Sequence, residues 1–266
     1  MGASQSIRNG LIMTTTIALS NQKGGVAKTT TCLSLGASLS EAGHFVLLVD
    51  LDPQASLTLS VGLDPKTLRR SVGDALLGNN SLVGVSRESA IKDLDIVPAN
   101  HGLVVIEKVL SGQNGFQYRL KNGLDAMENG FYDFVLIDCP PSLGTLTLNA
   151  LTASNLLIIP VQCEYYAAHT LLYYMKLVKR MRTKTNPHLT YRVLVTMYDR
   201  RNKISVAMLD QMQLRLNEVL FKTIIGVDTK LRECPVLGLP ITSYAPKTRG
   251  AEQYRALAKE VLNNDP

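Results

Sequence analysis

Six short runs of Val, Ile, Leu and Phe recur along the chain, at residues 16–20, 45–49, 94–97, 134–137, 156–159 and 191–197. A run that is apolar throughout, rather than at alternate positions, suits a strand covered on both faces, so these runs predict a largely parallel sheet. Between most of them apolar residues return every three or four positions, which predicts helices over 28–42, 101–110, 145–153, 167–183, 205–220 and 248–262. Gly43 follows the first helix, Asn186-Pro187 closes the longest, and Gly250 falls near the start of the last. Such alternation predicts a doubly wound α/β fold, a mostly parallel sheet flanked by helices, with its ligand at the C-terminal ends of the strands. Residues 64–93, with Gly73, Gly78, Asn79-Asn80 and Gly84, are expected to form an irregular excursion over the surface. The chain shows no internal repeat and no low-complexity linker.

Composition narrows the picture. With 266 residues, 45% of them hydrophobic, the chain can bury one large core, so we read residues 14–266 as a single domain. Residues 1–13 read as a flexible extension, with Met13 an alternative start. No stretch approaches the roughly 18 apolar residues of a membrane span, and residues 1–11 lack the apolar core of a signal peptide, so a cytoplasmic location is expected. Cys32, Cys139, Cys163 and Cys234 are far apart and form no C-x-x-C pair, which reads as buried thiols rather than a zinc or redox site. The net charge of +6 is unevenly divided. Residues 1–163 hold 11 Lys and Arg against 13 Asp and Glu, whereas residues 164–266 hold 17 against 9. A basic C-terminal part points to a polyanionic partner, nucleic acid or an anionic membrane, or to a basic surface that is merely solvated.

Directly after the first predicted strand comes Asn21-Gln22-Lys23-Gly24-Gly25-Val26-Ala27-Lys28-Thr29-Thr30, leading into a predicted helix. A strand, a glycine-rich turn and a helix N-terminus together make an anion site, because backbone N–H groups and the helix dipole both favour negative charge. Lys28 would reach the β- and γ-phosphates of a nucleotide and the Thr29 hydroxyl would bind Mg²⁺. The standard G-x-x-x-x-G-K-[ST] pattern nonetheless fails, since Gln22 and Ala27 stand where its glycines belong. Two further segments end in acids. Residues 46–49 lead into Asp50-Leu51-Asp52-Pro53-Gln54, where Asp50 and Asp52 face the same way if the chain is extended. Residues 134–137 lead into Asp138-Cys139-Pro140-Pro141.

These residues resemble the ParA/MinD family of P-loop ATPases. The segment Lys23-Gly24-Gly25-Val26-Ala27-Lys28-Thr29 is similar to the family's deviant Walker A box, K-G-G-x-G-K-[ST], with Ala27 replacing its last glycine. The resemblance implies a P-loop NTPase fold and an ATP site over Lys23, Gly24, Gly25, Val26, Ala27, Lys28, Thr29 and Thr30. It implies that Asp52 orients the attacking water and that Asp138, at a Walker B strand end, holds Mg²⁺ through water. Asp50 would support either the magnesium or the loop, with a carboxylate capping the following helix an equal alternative. Residues 140–144 resemble the switch segment that senses the γ-phosphate. Lys23 would reach across a two-fold interface to the partner subunit's ATP, and Gly24 and Gly25 would let the subunits approach closely.

Towards the C-terminus, Thr196-Met197-Tyr198-Asp199-Arg200 and Pro246-Lys247-Thr248-Arg249-Gly250 resemble stretches of the ParA branch. Where many members carry I-P-R-N beside the adenine, this chain has Ile225-Gly226-Val227-Asp228. The resemblance therefore implies an ATP- and Mg²⁺-dependent homodimer that binds DNA without sequence preference, works with a ParB-type adaptor and associates with the nucleoid. Lys179, Arg180, Arg200, Arg201, Arg215, Lys222, Lys247 and Arg249 are the candidate DNA contacts, with Lys176 sharing a helix face with Lys179 and Arg180. The P-loop begins too early for the helix-turn-helix domain of larger family members, so operator binding is not expected. A MinD-like membrane cycle is the alternative, weakened because the chain ends in Asn263-Asn264-Asp265-Pro266 rather than an amphipathic basic face, and stable membrane association is not expected. A metabolic enzyme on the same scaffold, a carboxylate-activating ligase or a nitrogenase iron protein type, is the third.

Overall fold

The computed structural model describes residues 14–127, 131–164 and 167–263, with the side chains of 168 and 169 excepted; the expected extension 1–13 lies outside them. Seven strands form one sheet: β1 (Thr15–Leu19), β2 (Val46–Asp50), β3 (Arg87–Glu88), β4 (Leu94–Val97), β5 (Phe134–Asp138), β6 (Leu156–Val161) and β7 (Thr190–Val195). Their order is β3-β4-β2-β5-β1-β6-β7, and every pairing is parallel except β3 with β4. The doubly wound α/β expectation therefore holds.

Successive side chains on a strand face opposite ways, and both directions are apolar here. Ala18, Val135 and Ile137 enter one core together with Leu146, Leu171 and Leu209. Ile17, Leu19 and Leu136 enter the other, with Leu35, Leu57, Leu231 and Leu257. The first face is covered by α3 (Val72–Leu76), α4 (Leu82–Val85), α5 (Leu103–Ser111), α6 (Arg119–Asp125), α7 (Thr145–Ala153), α8 (Ala167–Lys184) and α9 (Lys203–Leu216). The second is covered by α1 (Lys28–Glu41), α2 (Ser56–Ser60), α10 (Thr229–Leu237), α11 (Ile241–Tyr244) and α12 (Arg249–Asn263). Crossovers on both faces bring the segments after β1, β2, β5, β6 and β7 to one edge of the sheet, where the candidate site lies.

The departures from the sequence pattern have local causes. β3 is two polar residues at the sheet edge, which an apolar-run criterion cannot detect. It joins α3 and α4 in the segment expected to be irregular. The helix expected over 205–220 stops at Leu216, because the chain turns to run beside β7: Val193 donates to the Val219 carbonyl and Phe221 donates to that of Val193. α10 carries Pro235 in its last turn, which interrupts the helical pattern; Asp228 caps its start and Gly238, at φ 65°, ends it. Among the described residues no helix is long and apolar enough to cross a membrane.

α1, which leads away from the site, lies close against the sheet because Gly36 has no side chain. A Cβ there would stand 2.9 Å from Leu48 Cδ2 and 3.1 Å from Leu136 Cδ1. We expect Gly36→Leu to lower the urea-unfolding free energy by about 2 kcal/mol through overpacking; an unchanged midpoint would show that α1 has room to shift.

Candidate functional site

The segment after β1 folds as a phosphate loop. Gly25 has φ 74°, a region that glycine enters without cost, and Ala27 has φ 62° and ψ 32°, which is costly for a residue with a Cβ. Ala27 thus stands in the left-handed conformation that the family's glycine would adopt freely. The loop is braced from the neighbouring strands: buried Asn21 donates to the Pro160 carbonyl at 2.6 Å, Gln162 donates to the Gly25 carbonyl at 3.0 Å, and Thr196 donates to that of Val26 at 3.0 Å. Lys28 opens α1 and is buried, its Nζ 3.4 Å from the Lys23 carbonyl. Val26 is buried beneath the loop, and Thr30 lines a cleft beside it.

Strand register sets the acids. Asp138 pairs in the sheet with Leu19 on one side and Asp50 on the other, so both carboxylates lie buried at the same edge. Thr29 donates to Asp138 Oδ2 at 2.6 Å, while Asp138 Oδ1, equally buried, has no hydrogen-bond partner. Burial pushes the Asp138 carboxyl well up, the Asp50 charge adds to this, and the Thr29 hydrogen bond and Lys28 oppose it. An orphaned buried oxygen beside a threonine hydroxyl and a lysine is a place that favours additional positive charge.

Asp50 is differently used. Its Oδ1 accepts the Asp52 N–H, and its Oδ2 accepts both the N–H and the hydroxyl of Thr58 in α2. Thr58 Oγ1 in turn accepts the Ala99 N–H. Burial pushes the Asp50 carboxyl up to about 6, against the pull of those hydrogen bonds. Both oxygens thus have protein donors, one in the turn after β2 and one in α2, as the loop-supporting and helix-capping readings of Asp50 each require. Asp52 stays partly exposed, with Oδ1 accepting the Gln54 N–H.

Lys23 is folded back on its own chain, donating to Gln162 Oε1 at 3.0 Å and to Glu164 Oε2. Gln162 and Glu164, beside the loop through the pairing of β6 with β1, and Thr58, beside Asp50 through α2, carry no sequence signal of their own. All four cysteines are buried. Ile225, Gly226, Val227 and Asp228 line a cleft of about 320 Å³ with Gly25, Ala27, Thr30 and Met197, so this segment does lie beside the phosphate loop. Glycine at 226 has a local reason: its N–H donates to Gln253 Oε1, which proline cannot do, and a Cβ would stand 3.2 Å from the Arg249 guanidinium.

The candidate DNA contacts fall into separate groups. Arg200, Arg201 and Arg249 line a cleft of about 790 Å³ at the site edge, although Arg201 is engaged by Asp199 at 2.8 Å and Arg249 donates to the Val227 carbonyl. Lys176, Lys179 and Arg180 are exposed on α8. That helix runs back from β6 to the start of β7, so Lys179 and Arg180 lie roughly 18–20 Å along its axis from Ala167. Arg215 is exposed on α9, Lys222 beside Glu260, and Lys247 just before α12. One monomer does not gather them into a single patch.

A strand, a phosphate loop opening a helix, and a buried acid on the adjacent parallel strand together define a P-loop nucleoside triphosphatase. A model of the AAA domain matches residues 14–191. The chain is 41% identical over 249 residues to the sporulation initiation inhibitor protein Soj of Bacillus subtilis, covering 93% of this chain and 98% of Soj. It is 37% identical over 251 residues to the chromosome partitioning protein ParA of Caulobacter vibrioides, covering 94% of each. It therefore belongs to the ParA/Soj family of partition ATPases. Among solved structures, cobyrinic acid a,c-diamide synthase from Mycobacterium smegmatis with bound ADP and magnesium is 38% identical, with TM-score 0.83 over 94% of this chain and 95% of that one. The septum site-determining protein MinD of Pyrococcus horikoshii, complexed with Mg-ADP, is 27% identical, with TM-score 0.77 over 95% and 98%.

The strain at Ala27 can be measured. Relief of its left-handed backbone is worth about 1 kcal/mol, partly offset by the greater freedom of glycine in the unfolded chain. Ala27→Gly should therefore unfold at an equal or higher urea concentration, and Ala27→Val at a clearly lower one. A loss of stability in Ala27→Gly would contradict the left-handed assignment.

Proposed function

We propose that this chain is an ATP-hydrolysing switch that dimerises around the nucleotide, binds DNA without reading its sequence, and positions a chromosome, plasmid or other cargo in the cytoplasm. The observation that carries this reading is the pairing of Thr29 with Asp138 beside the orphaned Asp138 Oδ1, at the mouth of a braced phosphate loop. Lys28 and the loop amides would hold the β- and γ-phosphates. Thr29 and Asp138 would hold Mg²⁺, which would neutralise charge on the phosphates. Asp52, partly exposed on the same edge, would orient the attacking water.

The dimer reading draws support from Gly24. A Cβ built on it meets nothing within 4 Å, and it has no positive φ, so nothing within its own chain requires glycine there. A close external neighbour would. Lys23 would leave Glu164 and reach the partner's ATP; an exposed ion pair is worth only about 0–1 kcal/mol, so its release costs little. ATP would favour the dimer, and hydrolysis would remove the bridging phosphate. A ParB-type adaptor is the partner this family suggests. The resemblance to a diamide synthase structure favours a second reading, ATP-dependent amide formation on a carboxylic acid; ATP turnover raised by duplex DNA, with no carboxylic acid present, would decide against it.

Three variants separate the proposed roles. Lys28→Ala should lose ATP binding by at least a hundredfold, Lys23→Ala should bind ATP and remain monomeric, and Asp52→Ala should accumulate as an ATP-bound dimer. Equilibrium binding and gel filtration with ATP test this, and identical behaviour of the last two would refute the division of labour.

DNA binding has its own signature. A dimer making roughly six phosphate contacts should lose affinity with a slope near −5 in log K against log salt. Binding should require ATP and be indifferent to sequence. Titrating labelled duplex with Arg200→Ala/Arg201→Ala and with Lys179→Ala/Arg180→Ala identifies which group meets the phosphates; a flat salt response in the wild type would end the proposal.

A further inference from the structure

Behind the phosphate loop lies a buried phenol. Tyr174 is fully buried in α8, on a stripe formed with Ala167, Leu171, Val178 and Met181 that packs against the sheet. The other members of that stripe carry no hydroxyl, and packing requires only the ring. The oxygen nonetheless meets Ser20 Oγ at 2.9 Å. Ser20, also fully buried, follows β1 directly and precedes Asn21, whose side chain anchors the loop to Pro160. Either hydroxyl can donate to the other, and both lie where water does not reach. One side chain of α8 thus holds, through Ser20, the point at which β1 passes into the loop.

We propose that Tyr174 is a positioning residue, one that holds the Ser20 to Gln22 backbone in its phosphate-accepting conformation and couples nucleotide occupancy to the placement of α8. The proposal rests on the reading of residues 23–30 as an ATP site. Its physical basis is that loss of the phenol hydroxyl strands the buried Ser20 hydroxyl, which can recover a partner only if the chain leading into the loop moves. α8 also carries Lys176, Lys179 and Arg180 on its exposed face, so a tie at its buried face links the loop to a basic surface.

Tyr174→Phe keeps the ring and removes only the oxygen. Compared with the wild type, it should bind a fluorescent ATP analogue with magnesium about tenfold more weakly and raise KM for ATP to match, with kcat changed less than threefold. Nucleotide should slow hydrogen exchange in α8 of the wild type and leave it unaltered in Tyr174→Phe. Ser20→Ala should reproduce the affinity loss, and the double variant should add little to either. A purely structural role would lower the melting temperature while leaving the analogue's Kd and KM unchanged, and that result would overturn the proposal. So would additive effects of the two substitutions, or an α8 in the wild type that is indifferent to nucleotide. Should Tyr174→Phe fail to fold, Ser20→Ala alone makes the same test of affinity. If the wild type itself bound no ATP, the phosphate-loop reading would fail, an outcome distinct from normal binding in the wild type with no loss in Tyr174→Phe.

Discussion

A carboxylate buried at the centre of a parallel sheet needs positive charge, and much of this molecule is arranged around that need. Asp138 lies between β1 and β2, out of reach of water, with one oxygen bonded to Thr29 and the other unpartnered. Desolvation penalises its charged form, and Asp50 beside it deepens the penalty. Lys28, held at the start of α1, is the nearest compensation the chain supplies. An isolated buried charge is otherwise a heavy cost, and the orphaned oxygen is what the proposed magnesium site would satisfy.

Asp50 shows how similar carboxylates in register are assigned different work. Thr58 and the Asp52 amide satisfy it fully, and this fixes the turn in which Asp52 is presented. The loop after β1 is treated in the same way. Its carbonyls at Val26 and Gly25 are taken up by Thr196 and Gln162, and Asn21 anchors its first turn to β6. With those groups committed, the loop backbone is held in place by its neighbours in the sheet.

The position of Lys23 fits a protein that changes its partners. Its charge is paired in cis with Glu164 at an exposed site, where such a pair is weak and readily exchanged. Gly24 next to it leaves open space that packing within the chain does not explain. The basic residues are spread between the site edge and the far part of α8, and the proposed dimer would present two sets of them.

Much of this was legible along the chain because its physics is local. Continuous apolar runs placed six of the seven strands, and a glycine-rich turn between a strand and a helix located the phosphate loop. Strand ends located Asp50, Asp52 and Asp138, since an acid at or just past the last residue of an apolar strand stands at the ligand-facing edge of the sheet. The short helices of 64–93, the edge strand Arg87–Glu88 and the proline-bearing α10 escaped, because contacts with distant parts of the chain hold them, backbone pairing with β4 in the case of β3, and not periodicity. Tertiary structure alone decided the rest: that Asp50 serves Thr58, that Glu164 and Gln162 meet Lys23, that Tyr174 reaches Ser20, and that the arginines at 200 and 201 stand apart from Lys179. Those partners are separated by up to about 150 residues, and only the register of the sheet and the direction of each crossover bring them within hydrogen-bond range.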